Sequence, residues 1–190
     1  MNLSKSLILA SGSPRRRELL TTLGVPFEVL ASDTDESFPS EMPVRDVPAL
    51  LAKRKAEAVL ALKPDALVLA ADTVVVLENV ILNKPLNEEE ARKMLRQLSC
   101  QVHEVHTAFC LLSSDSKVTV TDVAFVTFKT LSDWEIEFYV ASGKPMDKAG
   151  AYGIQEWIGL IAVERIEGSY FTVMGLPTHL VWEELMRYNR

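Results

Sequence analysis

Asp72 is a lone charge in LVLAADTVVVL, residues 67–77, a run otherwise apolar apart from Thr73. Burying an unpaired carboxylate is costly, so Asp72 needs cationic or metal partners, or a place at the mouth of a cleft. The plainer alternatives are a structural carboxylate capping a loop, or a strand that ends before it. Two lysines could serve as partners. Lys55 falls inside an apolar helical stripe, four residues after Leu51 and seven before Leu62, and Lys84 precedes Pro85. A lysine in such a stripe can also snorkel to solvent, which is the bland reading of Lys55.

SGSPRRRELL, residues 11–20, adds Arg15, Arg16 and Arg17 at the start of a helix. The positive end of the helix dipole disfavours cations there by roughly 0.3–1 kcal/mol each, so an anion is expected to offset them. Backbone N–H groups at a helix start already form an anion site, and guanidiniums add paired hydrogen bonds to phosphate. Arg17 is expected to be a solvated residue of this cluster, beside Glu18. Together with the acidic loop Asp33–Glu36, these residues suit a polyphosphate held by cations and a divalent metal, Mg²⁺ foremost, held by carboxylates.

Other candidates carry less chemistry. His103 and His106 have an odd spacing, which on a strand sends them to opposite faces, so they are read as structural or surface residues rather than a metal pair. Glu88, Glu89 and Glu90 complement a helix dipole. Trp134, Trp157 and Trp182 are read as packing residues. Cys100 and Cys110, with no CxxC, are both read as small buried hydrophobes. A GxxxxGK[ST] phosphate loop is absent, which excludes an ordinary P-loop kinase or ATPase.

The elements that must position these groups alternate between strand and helix, the pattern of an α/β protein. Residues 7–10 form a short buried strand. A helix follows, with Ser13 as N-cap, Pro14 at its first position, an apolar face of Leu19, Leu20 and Leu23, and Gly24 closing it. Residues 27–31 read as a strand, 46–62 as a helix and 67–77 as a long strand turned back at Glu78-Asn79. Capping boxes are expected at Asn87 with Glu90 and at Ser132 with Glu135, the second helix ending at Gly143. Between them, VHEVHTAFCLL and VTVTDVAFVTF form a hairpin across SSDSK. The last third reads as the loop DKAGAYGIQ, a strand pair around Glu167-Gly168 and a helix begun by Pro177.

The 190 residues suffice for one well-packed domain, 1–190, built as two lobes. A net charge of −6 opposes a nucleic-acid-coating surface, so any anion site is a local cluster. The apolar run near the N-terminus is too short for a signal-peptide core or a membrane span, and a cytoplasmic protein is expected.

LASGSPRRRELL (9–20), DE (35–36), KRKA (53–56), AADTVV (70–75), KP (84–85), LSCQVHEVHTA (98–108), KAGAYGIQ (148–155) and GLP (175–177) together resemble the Maf family of nucleoside triphosphate pyrophosphatases. The resemblance implies a mixed, twisted sheet in two lobes with flanking helices and a central cleft, the inosine triphosphatase-like fold. It implies metal-dependent hydrolysis, with Mg²⁺ or Mn²⁺, between the α and β phosphates of a nucleoside triphosphate. Asp72 would be the proton acceptor or a metal ligand acting on water. Ser11, Arg15, Arg16, Glu36, Lys55 and Lys84 would line the phosphate and metal site. Arg15, Thr73 and Gln155 resemble the branch acting on dTTP and UTP, where the branch acting on 7-methyl-GTP tends to carry Trp, Gln and Glu. A neutral amide can pair with the donor and acceptor edge of a pyrimidine. Asn83, Met174 and Trp157 depart from the usual pattern. Family members are often homodimers. A nucleotidyltransferase and a non-catalytic nucleotide-binding regulator of division are the rival readings, and neither nucleic acid nor membrane is expected as a partner.

Overall fold

The computed structural model describes residues 3–31 and 33–189. In chain order the elements are β1 (Leu7–Leu9), α1 (Pro14–Thr22), β2 (Glu28–Val29), α2 (Val47–Leu62), β3 (Leu67–Leu77), β4 (Val80–Leu82), α3 (Glu88–Leu98), β5 (Val102–Leu112), β6 (Lys117–Phe128), α4 (Asp133–Val140), α5 (Trp157–Ala162), β7 (Val163–Glu167), α6 (Tyr170–Met174) and α7 (Thr178–Met186). They build a seven-stranded sheet of order β2-β1-β3-β5-β6-β7, with β4 paired to β3. The sheet is mixed: β1 runs parallel to β2 and β3, whereas β3–β4 and β6–β7 are antiparallel. The chain divides into two compact units, and β3, β5 and β6 each contribute to both.

The first unit comprises the residues up to Asp72, Thr107–Asp122 and the chain from Gly175 onward. Its core packs Ala52, Ala56 and Val59 of α2 against Ile8, Ala10, Val68 and Ala70. Small residues on both sides allow helix and sheet to approach closely. Because strand side chains alternate, Asp72 shares a sheet face with Val68 and Ala70, the face that α2 covers. Lys55 lies four residues from both Leu51 and Val59 on the buried stripe of α2, hence on the same side of that helix. Strand and helix periodicity therefore aim the lysine and the aspartate at each other.

The second unit comprises Thr73–His106 and Val123–Met174. Here β3 turns back through Glu78 and Asn79, both at positive φ, and Val75 pairs with Leu82. Helix α3 buries Ala91, Met94, Leu95 and Leu98. It is joined to α4 by Arg92–Glu137 at 2.9 Å and Arg96–Asp133 at 3.0 Å. His103 stands edge-on to Phe128 and Tyr152.

Several expectations are corrected. The strand expected over 27–31 shortens to two exposed residues at the sheet edge. The box at Asn87 is half formed: its side chain caps Glu90 N–H, but the Glu90 carboxylate accepts from Leu86 N–H at 2.7 Å instead of returning to Asn87. At Ser132 and Glu135 the reciprocal box is complete. Only β7 precedes Gly168; after it the chain turns into α6, because Ser169 accepts from the N–H groups of Phe171, Thr172 and Val173. Helix α5 lies between the expected loop and the expected strand pair, where no element was assigned. Cys110 is buried, but Cys100 is exposed in the turn after α3, at φ 59°. Trp134 is 66% exposed, stacking on Phe138 at the surface instead of filling a core, and Trp182 is exposed as well.

Candidate active site

The site in the first unit begins where β1 stops. Leu9 pairs with Leu69, and Ala10 N–H donates to Leu69 O at 2.8 Å, so Ser11–Ser13 follow directly beyond the paired end of β1, with α1 starting at Pro14. This is the carboxyl end of two parallel strands followed by a helix N-terminus, the usual place for ligands in open α/β sheets.

Ser13 caps the helix by accepting from Arg16 N–H. Buried Ser11 accepts from Arg16 Nη1 at 3.3 Å, and Arg16 Nε donates to Gly175 O at 2.9 Å. Arg16 is thereby fixed from two sides of its guanidinium. Desolvation lowers its pKa from the ordinary arginine value; Asp72 and Glu36 oppose that shift, and Arg15 adds to it. The same electrostatics place Arg16 within the field of both carboxylates. Arg15 is half-buried on the same turn, while Arg17 is exposed, as its reading as a solvated residue requires.

Asp72 is buried, and Lys55 meets it: the ammonium donates to Asp72 Oδ1 at 2.7 Å and to Glu36 Oε1 at 2.8 Å. Glu36 comes from a loop without regular structure, held by Arg54, whose Nη1 donates to the carbonyls of Asp35 and Ser37. The role of Arg54 was not foreseen, although it lies in the KRKA stretch. Gly175 was likewise missed, since its contribution is a backbone carbonyl. Two carboxylate oxygens converging on one ammonium are a donor pair that an oxygen-preferring divalent cation can use together with phosphate oxygens and waters. Among the described residues no three His, Cys, Asp or Glu side chains gather, so such an ion would draw further ligands from substrate or water.

The second unit carries the remaining expected residues. Thr73 follows Asp72 and is half-buried, and Lys84 is exposed after β4. Gln155 is half-buried, and its Oε1 is shielded from solvent without a hydrogen-bond partner among the described residues. A buried acceptor with no donor is costly to leave unsatisfied, which marks it for a ligand.

His103 and His106 are both buried; their Nε2 atoms meet Tyr152 Oη at 2.8 Å and Glu104 Oε2 at 2.6 Å. They are structural residues.

The family model described as Maf-like protein matches residues 6–188. The chain belongs to the Maf family. Among the Maf chain's curated relatives, a dTTP/UTP pyrophosphatase of Phocaeicola vulgatus is 47% identical over 189 residues, 98% of each chain. One of the same name from Bacillus cereus is 46% identical over 185 residues, covering 97% of this chain and 96% of that one. In fold, the Maf chain is similar to the Ham1 protein of Staphylococcus aureus, with a TM-score of 0.55 at 15% identity, over 95% of this chain and 100% of that chain.

Proposed function

We propose that this Maf protein hydrolyses dTTP and UTP to the nucleoside monophosphate and pyrophosphate. The observation that carries the reading is the buried Asp72, held by Lys55 beside Glu36 and within the field of Arg16. The names of the relatives at 46–47% identity support the substrate class.

In this reading Arg15 and Arg16, with Ser11 and the N-terminal amides of α1, bind phosphate oxygens, Lys55 adds charge beside them, and Lys84 of the second unit is read as a further phosphate-binding cation. Asp72 accepts a proton from the attacking water. The water oxygen bonds to the α phosphorus, the bond from that phosphorus to the α-β bridging oxygen breaks, and pyrophosphate leaves with the electron pair. Glu36 and Asp72 would hold Mg²⁺ or Mn²⁺, which when bound neutralises phosphate charge and acidifies water. Gln155 pairs its amide with the donor and acceptor edge of the pyrimidine, its Oε1 taking the ring N–H; Arg15 and Thr73 complete the selectivity set. The enzyme would act on free nucleotides in the cytoplasm, as a single 1–190 domain. Among the described residues no helix is long and apolar enough to cross a membrane.

The test is pyrophosphate release from dTTP, UTP, CTP, dATP, GTP and 7-methyl-GTP, with and without Mg²⁺ or Mn²⁺. Metal-dependent release from dTTP and UTP above the rest supports the reading. Preference for 7-methyl-GTP overturns the substrate branch, and nucleotide binding without hydrolysis overturns the enzyme.

A further inference from the structure

The segment bearing Gln155 is held by a buried charge network of its own in the second unit. Lys148 is only 5% exposed. Its ammonium meets Glu156 Oε1 at 3.0 Å, donates to Lys144 O at 2.6 Å and pairs with the Asp147 carboxylate. The other Glu156 oxygen, Oε2, accepts from the Tyr139 hydroxyl, and that hydroxyl accepts from Gly153 N–H at 3.2 Å. Burial and the Glu156 carboxylate push the Tyr139 pKa up, so the hydroxyl remains a donor. The backbone passes directly over the ion pair: a Cβ on Gly153 would lie 2.9 Å from Lys148 Cε and 3.0 Å from Glu156 Cδ.

The near end of the segment is fixed as tightly. Gly150 adopts φ +67°, with Val75 2.9 Å from where its Cβ would be, and its N–H donates to Asn83 O at 3.2 Å. Residues 148–156 are thus clamped at both ends. Gln155 adjoins Glu156, and its Oε1 is the buried acceptor without a donor. A buried ion pair is a weak way to gain stability, because desolvation offsets its attraction. What it does well is fix geometry, and recognition groups lose much of their effect when displaced by about 1 Å.

We propose that Lys148, Glu156 and Tyr139 are positioning residues that hold the Gln155 amide at the angle base recognition needs, and so set base selectivity instead of turnover. The inference rests on the reading of Gln155 as the base-reading residue.

The test measures kcat, KM and thermal midpoint for Tyr139→Phe, Glu156→Gln, Lys148→Met and Lys148→Arg, with Gln155→Glu as reference and dTTP and dATP as substrates. Tyr139→Phe removes one oxygen and keeps the ring, so it is the variant best suited to retain the fold. The expected result is a KM for dTTP raised about tenfold with kcat within about twofold, and a dTTP-over-dATP preference in kcat/KM reduced about tenfold. Lys148→Arg should retain more of that preference than Lys148→Met. If Gln155→Glu shifts the preference while Tyr139→Phe and Glu156→Gln leave it intact, or lower both substrates equally alongside the thermal midpoint, the positioning inference is overturned and the base reading stands. An unchanged preference in Gln155→Glu overturns the base reading and the inference with it.

Discussion

Lys55 Nζ lies 2.7 Å from Asp72 Oδ1, joining a helix-borne ammonium to a strand-borne carboxylate inside the first unit. The pair explains how an acid is tolerated in a strand whose preceding residues, Leu67–Ala71, are fully buried. It also fixes the orientation of the Asp72 carboxylate, as a proton acceptor requires. Asp72→Asn preserves size and shape while removing the charge. Pyrophosphate release is expected to fall by about 10²–10⁴-fold, the usual contribution of a general base, with the circular dichroism spectrum unchanged. Wild-type turnover in this variant would remove Asp72 from the chemistry.

Lys55→Met leaves the Asp72 and Glu36 carboxylates facing each other without their bridge. Loss of a charged hydrogen-bond partner at a mostly buried acid is expected to destabilise the fold by about 1–3 kcal/mol in urea titration. Adding Asp72→Asn to Lys55→Met should restore part of that loss without restoring activity, because the two side chains are energetically coupled. Additive stability losses in the double variant would show that the pair does not couple.

This cluster was largely legible in the sequence because regular periodicity produced it. A charge at an even offset from Val68 and Ala70 on β3, and a lysine on the Leu51–Val59 stripe of α2, must share the buried face between sheet and helix. What stayed hidden depends on irregular chain. Arg54 reaches loop carbonyls, Arg16 reaches the carbonyl of Gly175, and Lys148 meets Glu156 across a glycine-rich bend; none of these has a sequence period. Helix α6 escaped notice because the apolar run Tyr170–Met174 is too short for its period to identify, and the cap at Ser169 decides it.

The three arginines divide by burial, and so should their effects. Arg16 is gripped by Ser11 and Gly175, whereas Arg17 points into solvent. Arg16→Ala is expected to raise KM for dTTP by about 10–100-fold, since it removes a two-pronged phosphate donor. Arg17→Ala is expected to leave kcat/KM within about twofold and stability within about 0.5 kcal/mol. Equal kinetic losses in the two variants would contradict the assignment of Arg16 to the phosphates.

Removal of divalent metal tests Glu36 and Asp72 together. Dialysis against EDTA is expected to abolish pyrophosphate release, and added Mg²⁺ or Mn²⁺ to restore it. Glu36→Gln should raise the Mg²⁺ concentration needed for half-maximal activity, because a carboxamide is a weaker ligand than a carboxylate. An unchanged metal requirement in Glu36→Gln would leave Glu36 as a partner of Lys55 alone.

His103 gives the fold a pH dependence separate from catalysis. Its ring is buried edge-on to Phe128 and Tyr152, and burial lowers its pKa from 6.5 to about 4. Between those values the unfolded chain binds a proton that the folded chain excludes. Stability is therefore full above pH 6.5 and is lost as the pH falls toward 4, with a slope of at most about 1.4 kcal/mol per pH unit from this residue. Asp115 and Glu135 are held down to about 2 by their lysine partners and hydrogen bonds, so their contributions fade at lower pH, below their unperturbed values of 3.8 and 4.5. Urea titrations at pH 7, 6 and 5 should show the wild-type unfolding free energy falling and His103→Gln falling less. Parallel slopes in the two proteins would mean that another group carries the acid sensitivity over that interval.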